Sequence, residues 1–427
     1  MKKINTLLSR PITQYLIITI LAVLYAFNAT PVIFPDSKGY IEMWLVRSYG
    51  YPFFLAFHKM LFGNYFITTV IFSQFIINIV AIFFLMRCIR ALVPLKQWIA
   101  FILYAVLIFP AFFGTALVKT ILSESLAYPL YLGVIGYLLK GIFLKQNKYF
   151  YFALLLSFGA ITVRGQFLFL IPLILIAVLL TFYKFLFNRK TFLLMISCIA
   201  TPFLLVYSDI TFHKIVHHQA VATPWTGIQI LSMPFFVADK NDDAVFKTKE
   251  QKAFFRYVYK KLEEKDLLYS QLLKENKKIE FTFDNYVKIC NQTICGNGIE
   301  MFPAEASLDQ KIIWTDKITT AMTLPLLKDN FKKWFSVYTA NFIKGFDTSK
   351  HFLLLVILTL TSLVMLFKKE NIISKFILLL TLATIGNVAI VAIAEPTISR
   401  YVFYNNWIVI AIVLILFQNT FYVKPNE

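Results

Sequence analysis

Residues 167–187 read FLFLIPLILIAVLLTFYKFLF, a run whose one charge is Lys184. At the rise of an α-helix it is long enough to cross the hydrocarbon core of a bilayer. Its flanks differ in kind: Arg164-Gly165-Gln166 precedes it, and Arg189-Lys190 follows it. Comparable runs occupy 12–28, 66–86, 98–116, 126–144, 149–163, 191–208, 351–367, 374–394 and 403–422. The pattern predicts an all-α polytopic membrane protein with about 10 transmembrane helices, in a range of roughly 9–12. The first run follows Lys2, Lys3 and Arg10. It has no small-x-small cleavage site and reads as an uncleaved anchor.

Composition points the same way. The 427 residues are 59% hydrophobic and 17% aromatic, more apolar surface than a soluble domain of this size can bury. The net charge of +19 would suggest nucleic acid in a soluble protein. Here the stretch 211–350 holds 20 Lys/Arg against 16 Asp/Glu, so the excess belongs to the membrane-embedded part. It is therefore topological, and no nucleic-acid partner is expected.

The connections sort by charge. One set carries Arg87, Arg90 and Lys96; Lys145 and Lys148; Lys184, Arg189 and Lys190; Lys368, Lys369 and Lys375. The positive-inside rule puts this set and both termini in the cytoplasm. The other set then faces outward: 36–64, 119–125, 164–166, 211–350 and 395–400. Outside 211–350 the chain has only seven acids: Asp36, Glu42, Glu124, Asp209, Glu370, Glu395 and Glu427. Asp36, Glu124 and Glu395 fall on the outward face, as do the cations Arg47, Lys119, Arg164 and Arg400. Random scatter would spread them over both faces. Charged groups kept at a membrane mouth mark a site.

Three regions follow. Residues 1–210 form a transmembrane catalytic module whose first outer loop, 29–65, carries juxtamembrane helices. Residues 211–350 form a long, mainly helical outward loop or small lid domain. Residues 351–427 return to the membrane. Within the lid, 250–278 is helical by the spacing of Phe254, Tyr257, Val258 and Leu262. The apolar stretch 221–238 reads as an interfacial segment. Cys290 and Cys295 would form a local disulfide in an oxidising compartment. His213 and His217 are one helical turn apart, a metal-compatible spacing without an obvious third ligand.

Four short motifs carry a resemblance. Asp36-Ser37-x-x-Tyr40, then Arg47, Gly50-Tyr51-Pro52 and Leu61-Phe62-Gly63, resembles the first outer loop of the GT-C membrane glycosyltransferases. The nearest branch holds the protein O-mannosyltransferases and the lipid A aminoarabinose transferases. Leu122-Ser123-Glu124-Ser125-Leu126 is similar to the Thr/Ser-Glu-x-Leu step of that family. Thr162-Val163-Arg164-Gly165 is similar to its next outward turn, and Glu395-Pro396 with Arg400-Tyr401 to its late Glu…Arg-Tyr element. The resemblance covers mainly 1–210 and 395–401. Two departures stand out: many members have a second acid beside the first-loop Asp, where this chain has Pro35 and Ser37, and many end in a periplasmic domain.

The resemblance implies an inverting glycosyltransferase. It would move a sugar from a polyprenyl-phosphate carrier to a hydroxyl of a lipid, glycan or protein acceptor. The setting implied is a bacterial inner membrane with the active site facing the periplasm. Asp36 would be the base that accepts the acceptor's proton. Arg400 would bind the phosphate, with Lys119 and Arg164 as further cations. Arg47 would pair with Asp36 or Glu42 and orient the base, and Glu124 would hold Arg164 or the acceptor. Glu395 would pair with Arg400, and Tyr401 would line the sugar site. No organic cofactor is implied, and a divalent metal is left open. Each residue also has a plainer role: Asp36 as a helix cap beside Ser37, Glu124 as a charge complementing a helix dipole, Arg400 as a snorkelling interfacial cation. Two other functions compete. A transporter or lipid flippase would need charges near mid-membrane or repeated halves. A polysaccharide ligase or polymerase would share the long outward loop but not the Asp36 motif.

Overall fold

The apolar runs fold as helices because lipid offers no partner to the backbone, so each segment must satisfy its own N–H and C=O groups. In a computed structural model, residues 11–27, 30–113, 116–274, 280–368 and 371–422 are described. Among them there is no β-strand, and the one bridge joins Val32 to Thr120. Among the described residues, eight helical stretches are long and apolar enough to cross a membrane: Gly50–Leu92, Gln97–Lys119 (an α-helix to Phe112, then a 3-10 turn Leu117–Lys119), Glu124–Leu144, Gly165–Phe185, Arg189–Val216, Ser349–Lys368, Ile372–Ala394 and Ser399–Phe421. Eight of the ten expected spans coincide with these. The other two, near 12–28 and 149–163, are helices of 17 residues each, Pro11–Phe27 and Asn147–Val163. The all-helical, multi-pass membrane character expected from the sequence is thus present. Residues 28, 114 and 115, at the edges of two expected spans, lie outside the described residues, as do 275–279 at the end of the expected helix 250–278.

The chain divides into two compact units. One comprises Met1–Ser208, Leu355–Gly386 and Phe403–Glu427; the other comprises Asp209–Leu354 and Asn387–Val402. In the first, Glu124–Leu144 is buried on nearly every face. Gly136 lets it close on Phe66–Leu92, since a Cβ there would meet the Phe84 ring at 2.6 Å. By contrast, Ser349–Lys368 turns Leu353, Ile357, Leu360, Val364 and Phe367 outward. Outward residues that are apolar along a whole helix suit a lipid surround and not water.

The second unit is built like a water-soluble domain. Helix Lys249–Glu264 opens with a reciprocal cap: the Gln251 N–H donates to the Thr248 hydroxyl at 3.1 Å. Ser307 and Gln310 open Leu308–Asp329 in the same way. The inner face of Lys249–Glu264 carries Phe254, Phe255, Val258, Tyr259 and Leu262 into one core. Tyr257, expected on that face, is partly buried and packs against the same core while its hydroxyl donates to Glu300 at 2.6 Å.

Two expectations for this unit are corrected. The stretch 221–238 does not lie on a surface: its helix Thr226–Val237 buries Ile228, Leu231, Phe235 and Phe236 in the core. A helix apolar all round is a core helix. Cys290 and Cys295 are free thiols, buried in the π-helical turns Val287–Asn297. Burial pushes the Cys290 thiol up to about 12, so it stays protonated and unreactive at neutral pH.

Candidate functional site

The loop after the first helix is shaped by its own small residues. Pro35 opens the helix Pro35–Ile41, a position where its missing N–H costs nothing. The Ser37 hydroxyl accepts the Phe34 N–H at 2.9 Å. The local capping contact is therefore made by Ser37, and the Asp36 side chain turns to Arg47, whose Nη2 donates to Oδ1 at 2.8 Å. Met43 adopts the left-handed region (φ 54°) and reverses the chain, so that the Trp44 N–H returns to the Gly39 carbonyl at 2.9 Å. Gly39 makes room for this return: a Cβ there would stand 3.0 Å from Arg47 Nε. The guanidinium then lies over the Tyr40 ring, 4.7 Å from its centroid. Arg47 is held on two sides, and the Asp36 carboxylate stays half-buried.

The turn around Lys119 is locked to this loop. Val32 donates to the Lys119 carbonyl at 3.0 Å and accepts from the Ile121 N–H at 3.2 Å. Lys119 itself is buried. The segment around it is irregular backbone packed inside protein, and its carbonyls need donors. Gln74, fully buried in the span Gly50–Leu92, supplies them: its Nε2 donates to Val118 at 3.1 Å and to Thr120 at 3.2 Å. Ser125 donates to the Leu117 carbonyl at 2.6 Å. The hydroxyl of Tyr51, from Gly50-Tyr51-Pro52, donates to Gln74 Oε1 at 2.8 Å.

Glu124 opens its helix and is 1% exposed. Arg164 Nη1 meets its Oε1 at 3.0 Å. Ser123 joins this pair to the first loop, because its Oγ lies 3.1 Å from the Tyr40 hydroxyl and 3.3 Å from both Arg164 Nη1 and Glu124 Oε2. Arg164 also donates through Nε to Gln166. The Arg164 turn approaches the loop closely at Gly50, where a Cβ would fall 2.6 Å from the Thr162 carbonyl carbon. The Ser48 hydroxyl donates to the Thr162 carbonyl at 2.6 Å. The glycine of Gly50-Tyr51-Pro52 is thus required by packing.

Asp36, Arg47, Lys119, Glu124 and Arg164 are therefore brought together in the first unit. Glu395, Arg400 and Tyr401 belong to the second unit. There the Glu395 Oε1 accepts Gln229 Nε2 at 2.7 Å and the Tyr286 hydroxyl at 3.4 Å. Burial, with the Glu395 carboxylate beside it, holds the Tyr286 phenol well above its ordinary pKa, so it remains a donor. Asn341 fixes the backbone here, donating to the Glu395 carbonyl at 2.9 Å. The Arg400 guanidinium lies 5.9 Å from the Tyr401 ring centroid, and Phe283 packs edge-on to Tyr401.

Sequence reasoning missed Ser123, Gln74, Gln229, Tyr286 and Asn341. Gln74 and Asn78 did leave a signal: two amides one helical turn apart inside an apolar span. They carry no charge, so a search for charges passes over them.

The donor set does not suit a bound cation. Asp36 meets an arginine where a metal site needs a second acid, and no group of three or more His, Cys, Asp or Glu that could hold a metal occurs among the described residues. The His213 and His217 rings lie 5.2 Å apart, tilted at 37°, and His213 Nε2 faces Asp209 at 3.5 Å and Thr223 Oγ1 at 3.2 Å. Compared with family models, with curated proteins and with solved structures, the chain matches none.

Proposed function

We propose that the chain is an inverting glycosyltransferase that uses a polyprenyl-phosphate sugar at the outer face of a membrane, in a bacterial inner membrane the periplasmic face. One observation carries the reading. The acid of the Asp36 motif is half-buried and is held by Arg47 in a loop pinned to the Lys119 and Arg164 turns. A carboxylate so oriented can accept a proton from an acceptor hydroxyl.

In the proposed step, the acceptor oxygen attacks the anomeric carbon from the side opposite the phosphate. The new C–O bond forms as the bond from that carbon to the phosphate oxygen breaks. The bonding pair leaves with the polyprenyl phosphate, and the acceptor proton passes to Asp36. The configuration at the anomeric carbon inverts. Positive charge must meet the departing phosphate; Arg47 and Arg164, with Lys119 on the turn bonded to this loop through its backbone, are the cations we assign to it. The carrier's apolar tail needs a membrane, which a multi-pass chain supplies.

The test compares wild type with Asp36→Asn in the native host at matched membrane levels. Lipids, surface glycans and envelope proteins are read by mass spectrometry. Loss of one hexose-, pentose- or aminosugar-sized increment is the expected result. Unchanged glycans in the variant, alongside a defect in a strain lacking the protein, would overturn the proposal and favour transport.

A further inference from the structure

A cavity of about 430 Å³ opens among the lysine-rich connections of the first unit. Its walls include Lys145, Lys184, Lys190, Asn147, Asn188 and Thr191, and no lining residue is acidic. We propose that this cavity holds the phosphate headgroup of an anionic phospholipid. The inference is independent of the transfer chemistry above.

Four helix ends meet here. Glu124–Leu144 and Leu170–Phe182 finish at the cavity, and a helix C-terminus is a negative contribution. Lys145, in the left-handed region at φ 50°, directly follows the first end, Lys184 stands two residues past the second, and both offset them. Asn147–Val163 and Arg189–Val216 begin here, which adds the positive ends of two helices of 17 and 28 residues. The first of these has no side-chain cap. In the second, Asn188 Oδ1 accepts the Lys190 N–H at 3.1 Å. Asn147 Nδ2 reaches Thr191 Oγ1 at 3.4 Å, so the two helix starts are tied. With three lysines and no carboxylate on the walls, the balance is positive, and amide and hydroxyl groups are at hand for phosphate oxygens.

The surroundings select a lipid over a soluble anion. Tyr183, Phe185 and Phe187 are exposed beside the cavity, and Phe192, Leu193 and Ile196 continue outward along Arg189–Val216. A headgroup seated on the lysines would lay its acyl chains on this apolar track. Basic pockets between transmembrane helices suit anionic headgroups on physical grounds.

The experiment uses the purified full chain in detergent. Native mass spectrometry reads retained lipid after incubation with phosphatidylglycerol or phosphatidylcholine. Wild type should retain phosphatidylglycerol about tenfold better, and Lys184→Gln with Lys190→Gln should abolish that preference. Lys368→Gln, which removes a charge from another connection, should keep it. Equal retention of the two lipids by wild type, or an undiminished preference in the double variant, would overturn the proposal. If the double variant does not accumulate, the wild-type comparison decides alone. Excess inorganic phosphate should leave the bound lipid in place. Displacement by phosphate would make this a soluble-anion site and overturn the lipid assignment.

Discussion

The first unit contains two arginine–carboxylate pairs of nearly equal length in opposite surroundings. Asp36 and Arg47 meet at 2.8 Å with side chains 39% and 24% exposed; Glu124 and Arg164 meet at 3.0 Å with 1% and 15%. Distance does not separate them; desolvation does. A half-exposed pair is screened and contributes little to stability, roughly 0–1 kcal/mol. A buried pair has given up its hydration, and losing either partner strands the other charge. The same chemistry therefore serves two purposes. Glu124–Arg164 holds two elements together, and Asp36–Arg47 holds a carboxylate that stays partly exposed, as the proposed transfer requires.

Four experiments would break or sharpen that contrast. The largest effect is expected at Asp36: replacement by Asn should lower transfer by about 10²–10⁴-fold while the unfolding temperature barely moves. A large loss of stability instead would make Asp36 structural. Next, Glu124→Ala should destabilise the protein by about 3–5 kcal/mol, read as lowered thermal stability in detergent. Pairing it with Arg164→Met should recover most of that loss; without recovery, the buried pair is not the cause.

Third, Gln74→Leu should cost about 1–3 kcal/mol, because the Val118 and Thr120 carbonyls and the Tyr51 hydroxyl lose their shared partner. It should also reduce activity through the Lys119 turn without touching either ion pair. Unchanged melting would mean that water replaces the amide. The smallest effect is the salt response of double-mutant cycles. Coupling between Asp36 and Arg47 should fall from at most about 1 kcal/mol toward zero in molar salt, and that between Glu124 and Arg164 should persist. Equal screening of both would erase the distinction drawn here.

Much of this was legible in the sequence, for identifiable reasons. The spans were, because a run such as 167–187 has few alternatives in water or lipid. The charges of the first unit's site were, because an acid among so many apolar residues is conspicuous. Their pairing was half legible: the sequence left Arg47 to either Asp36 or Glu42 and Glu124 to either Arg164 or an acceptor, and Ser123 as the residue between the pairs was invisible. A serine beside a glutamate has no periodicity and no charge. Gln74 was hidden for the same reason. The helix Thr226–Val237 was misplaced because apolarity without a polar face was read as a membrane surface, where the aromatic core of the second unit was the better home. The π-helical turns Val287–Asn297 have no sequence period to betray them.

The irregular backbone around Lys119 has a consequence for how the protein is made. Its carbonyls cannot enter lipid until the Gln74 amide is there to receive them. Synthesis runs from the N-terminus, so the span bearing Gln74 emerges from the ribosome before Val118 and Thr120 do. The order of residues along the chain is thus also a timetable, in which the receiving helix is inserted first and the segment it shelters arrives afterwards.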